Sequence, residues 1–293
     1  MLQKIGFVPG FNKQITSTGA ENRWTGGENV RFRYGTPEKI GGWNQLGASK
    51  LTGVTRGLHH FVNKASIKYA AIGTNRILYV YSNNFYYDIH PIKTDFGALT
   101  NKLACTSGSP ILTITLSSTT GMTAGDILFL ENVTPPTGSG YSAVDFDDKT
   151  FMITEVVNTT SVTITMGTNA SASATDGDLS VKYYYPVGPV DQVAGYGWGT
   201  SAWGGSTGWG SETPTSNTVI NPGQWSLDNL GQTLIALIVN GECFEWDSNA
   251  TNPTNNRATI ISGAPTASRD MLVSTPDRHL VFFGTETTIG DKT

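Results

Sequence analysis

Charge is scarce in this chain, with only 14% of its 293 residues being Asp, Glu, Lys or Arg. Long runs of Ala, Leu, Glu and Lys are missing as well, which excludes a helical bundle or a coiled coil. Cysteine is rarer still. Cys105 and Cys243 lie far apart, with no CxxC spacing and no neighbouring His. That excludes a disulfide scaffold and a zinc knuckle; the two read as free thiols of a reducing cytoplasm, a single disulfide being the alternative. No apolar run reaches the length of a bilayer span, and the first ten residues lack the apolar core of a signal peptide. The expectation is therefore a protein neither Sec-exported nor membrane-embedded. Positive charge is not in excess either: 19 Lys and Arg against 23 Asp and Glu give a formal net charge of -4, so the chain has no basic footprint for gripping phosphate.

What is present is β-forming material. Hydrophobic residues make up 38% of the chain, enough for a core, and Gly, Thr, Ser and Asn are abundant, so the predicted class is all-β. Four zones separate by texture. Residues 1–54 mix Gly, aromatics and Arg without a period and read as an extended N-terminal arm and docking segment. Residues 55–99 hold four strand-length runs in about 40 residues, Gly57–Phe61, Lys68–Thr74, Arg76–Tyr81 and Phe85–Pro91, the size of one β-propeller blade. Residues 100–186 alternate apolar and polar positions, as in Ile111–Leu116 and Ser161–Met166, and predict a small β-sandwich or barrel inserted in the propeller. Surface loops tolerate such insertions because closure entropy grows slowly with loop length. Residues 187–293 return to the first texture, with Thr233–Val239, a turn at Asn240–Gly241, Glu242–Asp247, Ala258–Ile261, Met271–Ser274 and His279–Thr285. Further blades are expected there, incomplete at the C-terminal end.

Gly195–Gly210 alternates Gly with Trp and Tyr, which predicts a long ordered loop. Chemical motifs are weak. Gly204–Gly208 spells G-x-S-x-G but lacks the strand and helix of a nucleophile elbow, and Gly195, Gly197 and Gly199 lack the frame of a dinucleotide site. Asp145–Thr150 lacks the Gly and Glu of a calcium loop and reads as a solvated turn. His59, His60, His90 and His279 show no ligand spacing, so structural roles are expected and no metal or cofactor is assigned. A propeller could bring Asp88, Glu245 and Asp277 to one mouth for glycoside hydrolysis, but nothing singles them out. The expectation is a protein without catalytic residues. The candidate functional residues are interface anchors: Arg23, Trp24, Arg31, Phe32, Arg33 and Trp43 in the arm, and Trp198, Trp203 and Trp209 in the aromatic loop. Arg interleaved with aromatics suits a protein interface, or else a nucleic-acid stacking strip, and the Trp set suits a packed loop, or else a sugar platform.

Several strings give the chain a resemblance to a known family. They are Pro9–Asn12, Val30–Gly35, Pro37–Trp43, the Gly195–Gly210 loop, Gln224–Gly231 and Pro276–His279. On these the chain resembles the nozzle or hub proteins in the tails of short-tailed bacteriophages, which sit below the portal and its adaptor ring. The resemblance implies a β-propeller in each subunit and a closed ring of subunits, a hexamer, around a DNA-ejection channel that helps retain the packaged genome. It implies head–tail adaptor or connector proteins and tail fibres or spikes as partners, with genomic DNA passing transiently. Location in the virion tail, after assembly in the host cytoplasm, follows from the same resemblance. A weakly acidic chain suits such a conduit, since repelled phosphate slides instead of sticking. A host-receptor or glycan-binding phage adhesin is the alternative of a different class.

Overall fold

The computed structural model describes residues 6–16, 18–42, 44, 50–191 and 222–285. Among them regular structure consists of twenty strands and two 3₁₀ turns, without an α-helix. Met1–Ala48 and Ser49–Thr293 are two compact units.

In the first unit β1 (Val8–Phe11) pairs in parallel with β2 (Arg23–Trp24). Strands β3 (Val30–Arg33) and β4 (Thr36–Lys39) form a hairpin. Its two turn residues, Tyr34 and Gly35, have φ of 49° and 81°, the left-handed pair that a tight two-residue hairpin requires. Ala20 is the one apolar residue of the described arm that is fully buried, and ribbons this short enclose no core.

The second unit opens with β5 (Thr55–Val62), β6 (Lys68–Thr74), β7 (Leu78–Ser82) and β8 (Phe85–Asp88). They make one antiparallel sheet in chain order. The four runs expected there are thus four strands, and Asn83 and Asn84, at φ 50° and 70°, turn β7 into β8. Six strands follow: β9 (Ile92–Cys105), β10 (Ile111–Thr115), β11 (Ile127–Thr134), β12 (Lys149–Asn158), β13 (Ser161–Thr165) and β14 (Ala174–Tyr184). They close into an antiparallel barrel in the order β10-β13-β12-β11-β14-β9. The alternating positions supply its interior. Leu103, Leu112, Ile114, Leu128, Leu130, Val162, Ile164 and Val181 are fully buried in one core with Phe146, because period-2 side chains of a closed sheet share one inner face. Strand β9 was not among the predicted alternating runs. Its burial is irregular, and its pairing with β14 shifts register four times, which bends the pair around the barrel.

The chain then forms a second antiparallel sheet of β15 (Trp225–Leu230), β16 (Thr233–Ile238), β17 (Cys243–Asp247) and β18 (Thr259–Ile260), and a hairpin of β19 (Asp270–Ser274) and β20 (His279–Phe283). Strand β16 is apolar on both faces for a reason. Leu234, Ala236 and Ile238 join a core with Phe61, Tyr69, Ala71, Leu78 and Val80 of the first sheet, while Ile235 and Leu237 join Met271 and Val273 of the hairpin. A sheet covered on both sides reads as a continuous apolar run. The all-β expectation with an inserted barrel therefore holds. Beside the barrel, the described residues of the Ser49–Thr293 unit form two four-stranded sheets and one hairpin, and no closed ring of blades.

Candidate functional site: the first-strand seam and the barrel joint

Strand β15 carries the string Trp225-Ser226-Leu227-Asp228-Asn229-Leu230. Successive side chains of a strand point to opposite faces, so the string divides into two sets. On one face, Trp225 donates its indole N–H to the Thr74 carbonyl at 2.8 Å, Leu227 packs on the first sheet's core, and the Asn229 side-chain oxygen lies 2.8 Å from His59 Nε2. Gly57 and Gly73 make room for that face, since a Cβ on Gly73 would sit 2.4 Å from Trp225 Cδ1. On the other face, Ser226 donates to the Asp270 carboxylate, and an Asp228 oxygen accepts the Val273 N–H at 2.9 Å. Leu230 completes the set by packing on the core shared with the hairpin. The three first strands β5, β15 and β19 are thereby laced by side chains rather than by a ladder. A groove of about 440 Å³ opens along this seam, lined by Gly57, Leu58, Trp225, Ser226, Arg269 and Asp270.

The barrel meets the sheets at a second junction. His90 is completely buried; its Nδ1 accepts the Leu78 N–H at 3.0 Å and its Nε2 lies 2.8 Å from the Tyr185 carbonyl. Such pairing suits a neutral ring with its proton on Nε2, and burial lowers the pKa to about 4, opposed by the Asp88 carboxylate. The Arg257 guanidinium lies 3.1 Å from an Asp88 oxygen and donates to the His90 carbonyl at 3.1 Å. Two barrel rings flank that cation, Phe129 at 4.9 Å and Tyr184 at 4.8 Å. Tyr184 also donates its hydroxyl to Asp88, and burial, then the nearby Asp88 charge, raises its pKa. Beyond Tyr184 the His90 ring stacks at 4.9 Å, and Trp225 meets His90 edge-on at 5.7 Å. One column of rings thus runs from the barrel to the seam.

Of the predicted anchors, the arm brings several together. Trp24 lies 5.4 Å from Phe7 and 6.4 Å from Phe32, and Phe32 lies 5.2 Å from Phe11. Arg31 pairs with Glu38 across the β3–β4 hairpin, and Arg33 lies over the Tyr34 ring at 5.3 Å. Arg23 borders a small groove with Val8, Pro9, Gly10, Phe11 and Asn12. The Trp24 indole N–H is buried without a partner. Trp43, Trp198, Trp203 and Trp209 lie outside the described residues, as do Gly195, Gly197, Gly199 and Gly204–Gly208.

The weighed carboxylates are spent on structure or stand apart. Asp88 serves Arg257 and Tyr184, Glu245 sits on the exposed side of β17, and Asp277 accepts from Ser274 in the β19–β20 turn. Asp145 accepts the Ser142 N–H at 2.8 Å and Asp147 the N–H of Val133 in β11 at 2.6 Å, so both carboxylates are spent on backbone N–H groups of the barrel. The Ser226 side chain and His59 lie on opposite faces of β15 and form no nucleophile–base pair. The His90–Asp88–Arg257 junction escaped sequence reasoning, because Arg257 lies 167 residues from His90 along the chain and meets it only in the folded protein; a lone His before Pro91 was the available signal. Among the described residues no helix is long and apolar enough to cross a membrane.

No family model matches the chain, and no curated protein matches it. Among solved structures it is similar to one titled "Phage phi92 endosialidase", at 15% sequence identity and a TM-score of 0.24, over 73% of this chain. The chain spans about a third of that neighbour's length, 32% of it.

Proposed function

We propose that this chain is a structural component of a bacteriophage tail: a nozzle or hub protein that forms a closed ring, a hexamer, below the portal and adaptor. In this reading the ring extends the DNA-ejection channel, helps retain the packaged genome, and offers a platform for fibres or spikes. The protein is not an enzyme and works in the virion.

The observation that supports this most is the seam. Three antiparallel sheets or hairpins in succession pack through their first strands β5, β15 and β19, which is how propeller blades surround an axis. The string Gln224–Gly231, one of those that carry the resemblance, supplies almost every contact of that seam. The net charge of -4 suits a passage for phosphate. The arm suits docking, since it leaves Phe7, Val8, Phe11 and Ile40 exposed and Tyr34 at 92% exposure, and such aromatic and Arg groups are common interface anchors.

Quantitative mass spectrometry of purified infectious particles tests the assignment. A copy number about half that of the portal is the expected result for a ring of matched symmetry. A count typical of trimeric spikes would favour the adhesin, and absence from particles would overturn both. Trp24→Ala is expected to reduce incorporation into particles while the Ser49–Thr293 unit stays folded.

A further inference from the structure

The barrel and the sheets have separate cores of very different size from the core that joins them. Seventeen buried apolar residues form the barrel's own cluster and fourteen form the cluster of the first two sheets. The cluster between them holds three, Ile77, Ile127 and Tyr184. The covalent connection is equally narrow. The barrel is rooted by its longest strand pair, β9 and β14, whose ends at Ile92 and Tyr184 lie opposite each other, just past β8 and just before Tyr185. With only Tyr79, Ile92 and Phe129 packed around those three, the apolar joint is small and resists rotation poorly, and a module rooted by one strand pair is free to pivot unless something directional holds it.

We propose that Arg257 is the latch that fixes the barrel's orientation on the sheets, and that without it the barrel pivots about the Ile92–Tyr184 root. The chemistry fits that role. A guanidinium is planar and always charged, so it can be gripped on its faces by rings and on its edge by a carboxylate at once. Here the cation lies over the Phe129 and Tyr184 rings of the barrel, which stack on each other, and its nitrogens meet Asp88 of the first sheet and the His90 carbonyl just after it. Arg257 itself belongs to the second sheet's last connection, where the Ala258 N–H donates to the Ile89 carbonyl at 2.8 Å. Arg257 thus touches all three bodies, and it holds the same Asp88 carboxylate that accepts the direct hydrogen bond from Tyr184 of the barrel. A second Arg also reaches the barrel: the Arg76 guanidinium lies against Gly125, where a Cβ would come within 2.8 Å of it. This latch is independent of the tail assignment.

The test uses the full chain with two spin labels. Val144→Cys on the barrel and Phe85→Cys on the first sheet provide exposed sites, at 76% and 59% exposure, while Cys105 and Cys243 are buried. Pulsed dipolar spectroscopy should give one narrow distance distribution with Arg257 in place. Arg257→Gln should broaden it about twofold or more, as expected for released hinge motion, with amide protection of β10–β13 unchanged. Arg257→Lys, which keeps the charge but not the plane, should fall between the two. An unaltered distribution in Arg257→Gln would overturn the latch. If that variant fails to fold, Phe129→Leu decides: broadening supports the latch, and an unchanged distance overturns it.

Discussion

The barrel and the stacked sheets solve the problem of an all-β chain in opposite ways. The barrel closes on itself, so every strand has two neighbours, one face looks inward, and alternating residues suffice. The sheets stay open and borrow their cores from each other. The faces of β16 are buried by two different partners, while β19 and β20 keep Leu272, Val281 and Phe283 exposed on the far side. A self-sufficient module therefore sits within a host whose stability is shared among neighbours, and the two should fail separately.

Trp225→Ala is the strongest way to test that separation. Removing the indole empties the space made by Gly57 and Gly73 and strands the Thr74 carbonyl, a loss of about 3–5 kcal/mol. Calorimetry should show the sheet transition falling while the barrel transition stays; one common shift would refute the separation.

Acid should come next, acting through His90 between the two regions. Its folded pKa, about 4, is below the ordinary 6.5 of an unfolded His. Above pH 6.5 both states are neutral and the stability is intact. As pH falls from 6.5 towards 4, the unfolded chain takes up a proton that the folded site resists, and stability drops by an amount on the order of 3 kcal/mol. The groups facing the ring are Asp88, Arg257 and Tyr184. His90→Gln should flatten the slope of chemical-denaturation midpoints over that window, and an unchanged slope would show that other groups set it.

Asp228→Ala should cost about 2 kcal/mol by leaving the Val273 N–H without its acceptor. Hydrogen exchange should quicken in β19 and β20 and leave the barrel untouched. Ile114→Val, a methylene removed from the barrel core, should cost about 1 kcal/mol and lower only the barrel transition. Movement of the sheet transition with it would mean that the cores are coupled.

Much of the fold was legible because it depends on local pattern. Alternation in Ile111–Leu116 and Ser161–Met166 marks a sheet with one dry face, and the Asn240–Gly241 turn marks the β16–β17 hairpin. Strand β9 was missed, since Asp95, Gly97 and Asn101 interrupt its alternation and its partner β14 is distant in sequence. The seam was half legible. Gln224–Gly231 stood out as a string, but its division into two faces needed to know what lay on either side of β15.

By itself, then, the sequence determined an all-β chain, the strand-length runs of the first four-stranded sheet and of all but β15 in the second, the alternating stretch that becomes the barrel, and an arm without a period. These follow from side-chain period and turn chemistry, which act over a few residues. The tertiary structure alone decided that the barrel closes, that Trp225 and Ser226 serve different sheets, and that Asp88, Tyr184 and Arg257 share one charge. Those outcomes rest on contacts between residues 44 to 169 positions apart, and no local propensity reports which distant partner will fill a face or neutralise a cation.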